Sequence, residues 1–260
     1  PEMLGNPWVL GAWTVVVILA GFAINSFGLQ GGLERVTKGM MLALLAIMVV
    51  LAANSISTEG SAEGLRFYLV PELGRMREIG IMNVMAGAMN QAFFTLSLGI
   101  GSMAVFGSYI GKDRALLGES ANIAVLDTFV AFTSGLIIFP ACFAFGVAPD
   151  SGPNLIFVTL PNIFNHMPLG RLWGSLFFIF MAFAAFSSVL AVFENIMSCW
   201  MDLTGWNRKK AAGANIPLMI ALSLPCVFGF NLWNSFAPFG EGTTVLDLED
   251  FLVSNIWLPL

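Results

Sequence analysis

Three groups of residues carry types and spacings that can do chemistry. The first is the run Gln91-Ala92-Phe93-Phe94-Thr95-Leu96-Ser97-Leu98-Gly99-Ile100-Gly101-Ser102, in which five of the last eight residues are Gly, Ser or Thr. Gly is a poor helix former, and Ser and Thr compete for backbone hydrogen bonds. The run therefore predicts a break inside an otherwise apolar helix. Broken backbone cannot face lipid, so it must line a cavity or bind something. The ends of two half-helices would offer a positive dipole end to an anion and free carbonyls to a cation. A continuous helix that uses its small residues for close packing accounts for the same composition, and composition does not decide between the two.

The second group is a single acid, Asp127, in the run Val125-Leu126-Asp127-Thr128-Phe129-Val130-Ala131. A charge at that depth in a bilayer costs on the order of a few kcal/mol unless paired or hydrated. Asp127 is thus a functional candidate, with a water-exposed place near the inner end of its span as the plain alternative. The third group is Ala184, Ser187 and Ser188. Their i, i+3, i+4 spacing puts a carbonyl and two hydroxyls on one helix face, oxygens of the kind hard cations prefer. Serines in buried helices also bond back to their own backbone, so this pair alone is weak evidence. Glu194 is a second intramembrane acid and a candidate structural partner for the broken helix. The single histidine, His166, falls in an outer loop, and no nucleophile–base, zinc or phosphate-loop pattern is present. An enzyme is the poorest reading.

These groups must be positioned by membrane helices. Of 260 residues 57% are hydrophobic and 10% charged, against about 25% charged in ordinary soluble domains. A core about 30 Å thick needs about 20 apolar residues per crossing. The sequence offers spans at approximately 8–29, 37–53, 81–110, 121–147, 172–201, 211–230 and a truncated 244–260. Loops on one side carry seven Lys and Arg, those on the other four. Positive residues favour the cytoplasm, so the first span enters from outside, in a multi-pass protein of the cell (inner) membrane. Residues 152–164, apolar and punctuated by Pro153 and Pro161, are too short to cross and predict a helical lid on the outer face. Cys142, Cys199 and Cys226 read as packed free thiols. No basic patch points to nucleic acid. Both ends read as cut from a longer chain.

Phe93-Phe94-Thr95-Leu96-Ser97-Leu98-Gly99-Ile100-Gly101 closely resembles the unwound sixth helix of the neurotransmitter:sodium symporters, in particular their bacterial amino-acid branch. Gly32 to Lys38 resembles that family's loop between helices four and five. The lid resembles its fourth extracellular loop, Ser187 to Glu194 its eighth helix, and Leu246 to Phe251 the start of its tenth. The resemblance covers nearly the whole chain and implies helices four to ten. The implied fold is an all-α membrane protein, a polytopic bundle of the inverted-repeat type with a discontinuous central helix, here as a fragment.

The resemblance also implies roles. Substrate would meet Phe94, Thr95, Ser97, Gly99, Ile100, Ser188 and Val192, with Phe94 as an aromatic cover and Ile100 lining the side-chain pocket. Two Na⁺ sites are expected: Thr95 and Asp127 would serve the first, and Ala184, Ser187 and Ser188 the second. Each also needs a helix preceding this chain. Asp250 would be the acidic half of an outer gate, with Phe94 and Gln91 beside it.

The resemblance has informative departures. Asp127 stands where chloride-dependent members carry Asn, and Ala131 replaces a serine that helps hold chloride there. A fixed carboxylate beside Na⁺ can supply that negative charge. Leu42 stands where bacterial relatives often place a proline used in inner gating. The function implied is sodium-coupled symport of apolar or aromatic amino acids by alternating access, independent of chloride. A non-transporting amino-acid sensor on the same scaffold is the main alternative, and a channel a further one. The partners expected are a small amino acid, the bilayer and a second copy in a homodimer.

Overall fold

The computed structural model describes residues 2–28, 32–111, 114–146, 156–157, 160–166 and 168–257. They form α1 (Glu2–Gly5), α2 (Pro7–Ser26), α3 (Glu34–Ser57), α4 (Ser61–Leu69), α5 (Leu73–Ile79), α6 (Ile81–Thr95), α7 (Ser102–Ser108), α8 (Leu116–Ala144), α9 (Leu160–His166), α10 (Gly170–Thr204), α11 (Arg208–Gly229) and α12 (Val245–Leu252), followed by a π-helical turn at Val253–Trp257. No strand occurs among the described residues. Helices α2, α3, α8, α10 and α11 are long and apolar enough to cross a membrane by length and composition. The protein is a multi-pass membrane protein.

The predicted span at 81–110 folds as two helices, α6 and α7, with turns between them. The predicted truncated span at 244–260 begins with α12 and continues as the π-helical turn; residues 258–260 lie outside the described residues. Of the lid at 152–164, residues 152–155 and 158–159 also lie outside them, and its C-terminal part enters α9. The stretch 54–80, for which the sequence suggests no element, holds the end of α3 together with α4 and α5. These two helices are too short to cross and charged enough to sit at the surface, with Arg75 and Glu72 paired at 2.8 Å. Helix α3 runs through Leu42 without interruption. Cys199 is exposed rather than packed.

Two compact units divide the chain: Pro1–Thr37, Ala86–Gly111 and Phe186–Leu260 form the first, and Lys38–Met85 and Lys112–Ala185 the second. The second unit has a core of Leu44, Met48, Leu51, Ile137, Phe177 and Phe180, onto which α9 drives Leu160 and Ile163. Helix α4 lies against α8 at very short range. A Cβ on Gly64 would meet the Phe139 carbonyl oxygen at 2.6 Å, and one on Gly135 would run into Cζ of Tyr68. Pro140 sits inside α8. Proline removes one amide from the ladder and pushes nearby carbonyls outward. Ser55 of α3 donates its hydroxyl to the Ile137 carbonyl at 2.6 Å, beside that weakened turn.

In the first unit α2 packs along α11. Asn6 caps α2, accepting from the amides of Trp8 and Val9 at 3.0 and 3.3 Å with Pro7 in the first turn, a start that satisfies orphan donors where proline has none to offer. Asn207 caps α11 through the Lys210 amide at 2.9 Å. The core here is Ile18, Phe22, Phe193, Met197 and Ala212. The rings of Phe22 and Phe193 stack with centroids 4.2 Å apart, and Phe193 fills the space above Gly21.

Candidate functional site: a broken helix held by α10

The break between α6 and α7 has a defined hydrogen-bond pattern. The regular ladder of α6 ends with Leu96 donating to Ala92 at 3.1 Å. Ser97 then donates to Phe94 and Leu98 to Phe93, both at 3.1 Å. That pair of bonds is a Schellman motif, the common way a helix ends in a left-handed residue. The left-handed residue is Ser97, with φ 52°, where glycine is usual. Gly101, with φ 74°, caps the start of α7, and its carbonyl accepts from Ala104 and Val105 at 3.0 and 3.2 Å. The continuous-helix alternative is therefore excluded. Two left-handed residues four apart turn the chain out of one helix and into the next.

Within the first unit the break is tied to α10. Asn195 donates its side-chain amide to the Ile100 carbonyl at 2.8 Å. On α10, Ser188, Val192 and Asn195 are spaced i, i+4, i+7, one helix face. Ser187 and Ala191 line a cavity of about 310 Å³ with Phe106 of α7 and Leu33, Glu34 and Thr37. Further along α10, Glu194 is fully buried. Tyr109, the residue after α7, donates its hydroxyl to Glu194 Oε1 at 3.0 Å and lies 3.3 Å from Ser198 Oγ. Arg208 bonds both carboxylate oxygens of Glu194, with Nη1 2.9 Å from Oε2, and also reaches the Asn25 carbonyl at 2.8 Å. Asn25, itself buried, donates to the Leu190 carbonyl at 3.0 Å. A carboxylate buried among apolar helices needs such a set of donors. Glu194 is thus a partner of the broken helix, the role its place in the sequence suggests.

The other residues singled out in the sequence fall as follows. Thr95 ends α6, with Phe94 next to it and Gln91 one turn before, and Gly99 and Ile100 lie in the break. Phe94 and Ile100 expose large apolar surfaces. Asp250 lies in α12, where Ser254 donates to its Oδ1 at 3.2 Å. Asp127, half-buried in the middle of α8, and Ala184 of α10 belong to the second unit.

Sequence reasoning misses Asn195, Tyr109 and Ser198, and counts Arg208 among loop cations. Tyr109 has a signal, being one of two tyrosines in the chain and closing a run of small and apolar residues. Asn195 has none, because its acceptor is a backbone carbonyl 95 residues away.

A membrane helix unwound at mid-length inside a helical bundle is the mark of secondary transporters, which build their sites from discontinuous helices. Residues 9–246 match the family described as the sodium:neurotransmitter symporter family, and the chain belongs to it. The crystal structure of MhsT in complex with L-phenylalanine superposes with a TM-score of 0.87 at 35% identity, over 99% of this chain and 58% of that one. An uncharacterized sodium-dependent transporter of Bacillus subtilis, YhdH, is 32% identical over 99% of this chain and 56% of its own length. The sodium- and chloride-dependent taurine transporter of rat is 27% identical over 72% of this chain and 31% of its own length. The chain thus spans a little over half the length of the first two relatives.

Proposed function

We propose that the protein is a sodium-coupled symporter of amino acids with apolar or aromatic side chains, working by alternating access in the cell (inner) membrane and without need of chloride. The observation that carries this reading is the break at 96–101, unwound on a helix otherwise apolar enough for a membrane. Unwound backbone at that depth is tolerated only where it lines a cavity or a ligand. The carbonyl ends of α6 suit an ammonium group or Na⁺, by the sign of the helix dipole.

In this reading Phe94, Thr95, Ser97, Gly99 and Ile100 meet the amino acid together with Ser188 and Val192. Ile100 and Val192 are modest in size, which favours a bulky apolar or aromatic side chain. Thr95 and Asp127 serve one Na⁺, and Ala184, Ser187 and Ser188 the other. Asp250, with Gln91 and Phe94, closes the outer side. The L-phenylalanine bound to MhsT is in keeping with this substrate class. The Bacillus relative carries only sodium in its name, whereas the rat transporter carries chloride as well. Asp127, a fixed negative charge, supports placing this chain with the former. Sodium as the coupling ion and a second copy as a homodimer partner belong to the same proposal.

The test is uptake by the full-length protein in proteoliposomes. An inward Na⁺ gradient should drive accumulation of leucine, phenylalanine or tryptophan, and these should compete better than glycine or alanine. If glycine or alanine competes better, the pocket reading is overturned. Sodium-dependent binding with no flux would establish the sensor instead.

A further inference from the structure

The geometry points to Asn195 as a positioning residue that sets the side-chain selectivity of the break, an inference that rests on the substrate reading above. Helix α7 is short, and α10 holds it at both ends. Before its first turn, the Ile100 carbonyl accepts from Asn195 at 2.8 Å. After its last, Tyr109 donates to Glu194 at 3.0 Å and meets Ser198 at 3.3 Å. The two grips come from consecutive residues of α10, Glu194 and Asn195.

The grip before α7 differs in kind from the one after it. A side-chain amide on a backbone carbonyl fixes the peptide plane after Ile100, and with it the direction in which the Ile100 side chain points. The regular ladder is interrupted between Leu96 and Val105, and the backbone bond this peptide makes is a long turn bond, Gly101 donating to the Leu98 carbonyl at 3.3 Å, so the amide of Asn195 is its shorter tether. Gly99 before it and Gly101 after it leave that peptide with little steric restraint of its own. Asn195 lies one turn beyond Val192, whose side chain is proposed to border the same pocket, so a single helix face carries both a pocket wall and the group that aims the opposite wall. Asn suits this task, since its amide donates while its stem is short and stiff.

The experiment uses the full-length protein with Asn195→Leu, which keeps the branched outline and removes the donor, and Asn195→Gln, which keeps a donor on a longer stem. Two readouts are taken. Hydrogen–deuterium exchange reports the tether itself without any substrate. In Asn195→Leu the amides of Ala104 and Val105, at the start of α7, should exchange about three- to tenfold faster, the loss expected of one net hydrogen bond. Binding reports the consequence. The preference for leucine over alanine should fall by a similar factor while the sodium concentration needed for half-binding is unchanged, and Asn195→Gln should recover at least part of that preference. A uniform loss of affinity for every amino acid would mark a merely structural role and overturn the inference. So would unchanged exchange at Ala104 and Val105 in a variant whose Tm equals that of the parent. If the parent protein binds no amino acid, the symport reading fails, while the exchange measurement still decides the tether.

Discussion

Glu194 and Arg208, fourteen residues apart, form a buried ion pair in which the guanidinium spans both carboxylate oxygens, Nη1 lying 2.9 Å from Oε2. The pair ties the C-terminal half of α10 to the start of α11, and through the Asn25 carbonyl it also holds the end of α2. A buried pair contributes less than its Coulomb attraction, but breaking one side of it is costly.

Arg208→Ala should therefore lower stability by about 3 kcal/mol, the lower end for buried pairs, because the arginine side chain keeps 23% of its surface. Glu194→Gln with Arg208→Gln should lose less than the two single changes together. Thermal unfolding of the full-length protein in detergent measures both. Additive losses would show that the two side chains act independently.

Gly135 and Gly64 give a contrasting pair. Gly135→Ala presses on the ring of Tyr68, a side chain that can be cut away, whereas Gly64→Ala presses on the backbone of Phe139. Each should destabilise by about 1–3 kcal/mol or more, as overpacking does. Adding Tyr68→Leu should recover most of the first loss, and no side-chain change should recover the second. The Tm values of the two single variants and of the Gly135→Ala, Tyr68→Leu double variant decide this.

Ser97 occupies a left-handed position, φ 52°, which costs an L-residue about 1–2 kcal/mol and a β-branched one more. Ser97→Gly should leave stability equal or slightly higher. Ser97→Val should lower it by at least about 1 kcal/mol. Denaturant titration compares the three proteins. A neutral Ser97→Val would mean that the break does not depend on this turn.

Asp127 is the residue on which chloride independence turns. Uptake by the parent protein should persist when chloride is replaced by gluconate. Asp127→Asn should reduce uptake at least tenfold in gluconate, and chloride should restore part of it. Loss of parent uptake in gluconate would sink the assignment of Asp127 as the resident negative charge.

The membrane class is legible from composition alone, because repeated spans of about 20 apolar residues match the thickness of a bilayer and nothing a single soluble core needs. The break is legible as a cluster of Gly, Ser and Thr, although composition leaves a continuous helix equally open. Which residue turns left-handed is not legible: Gly99 is the obvious choice, yet Ser97 takes the position that the bonds to Phe93 and Phe94 define. Arg208 reads as a loop cation because nothing local distinguishes a solvated arginine from one that meets a carboxylate a loop away. Asn195 is invisible, since a side chain that bonds backbone far along the chain leaves no periodic trace.

The hydroxyl that Ser55 lends to Ile137 governs how the second unit can deform. Packed membrane helices often slip along one another by small steps. Here slippage of α3 past α8 would strip a carbonyl of its donor in a medium with no water to replace it. Shear between these two helices is thereby opposed, and bending of α8 at Pro140 is the deformation this contact leaves open.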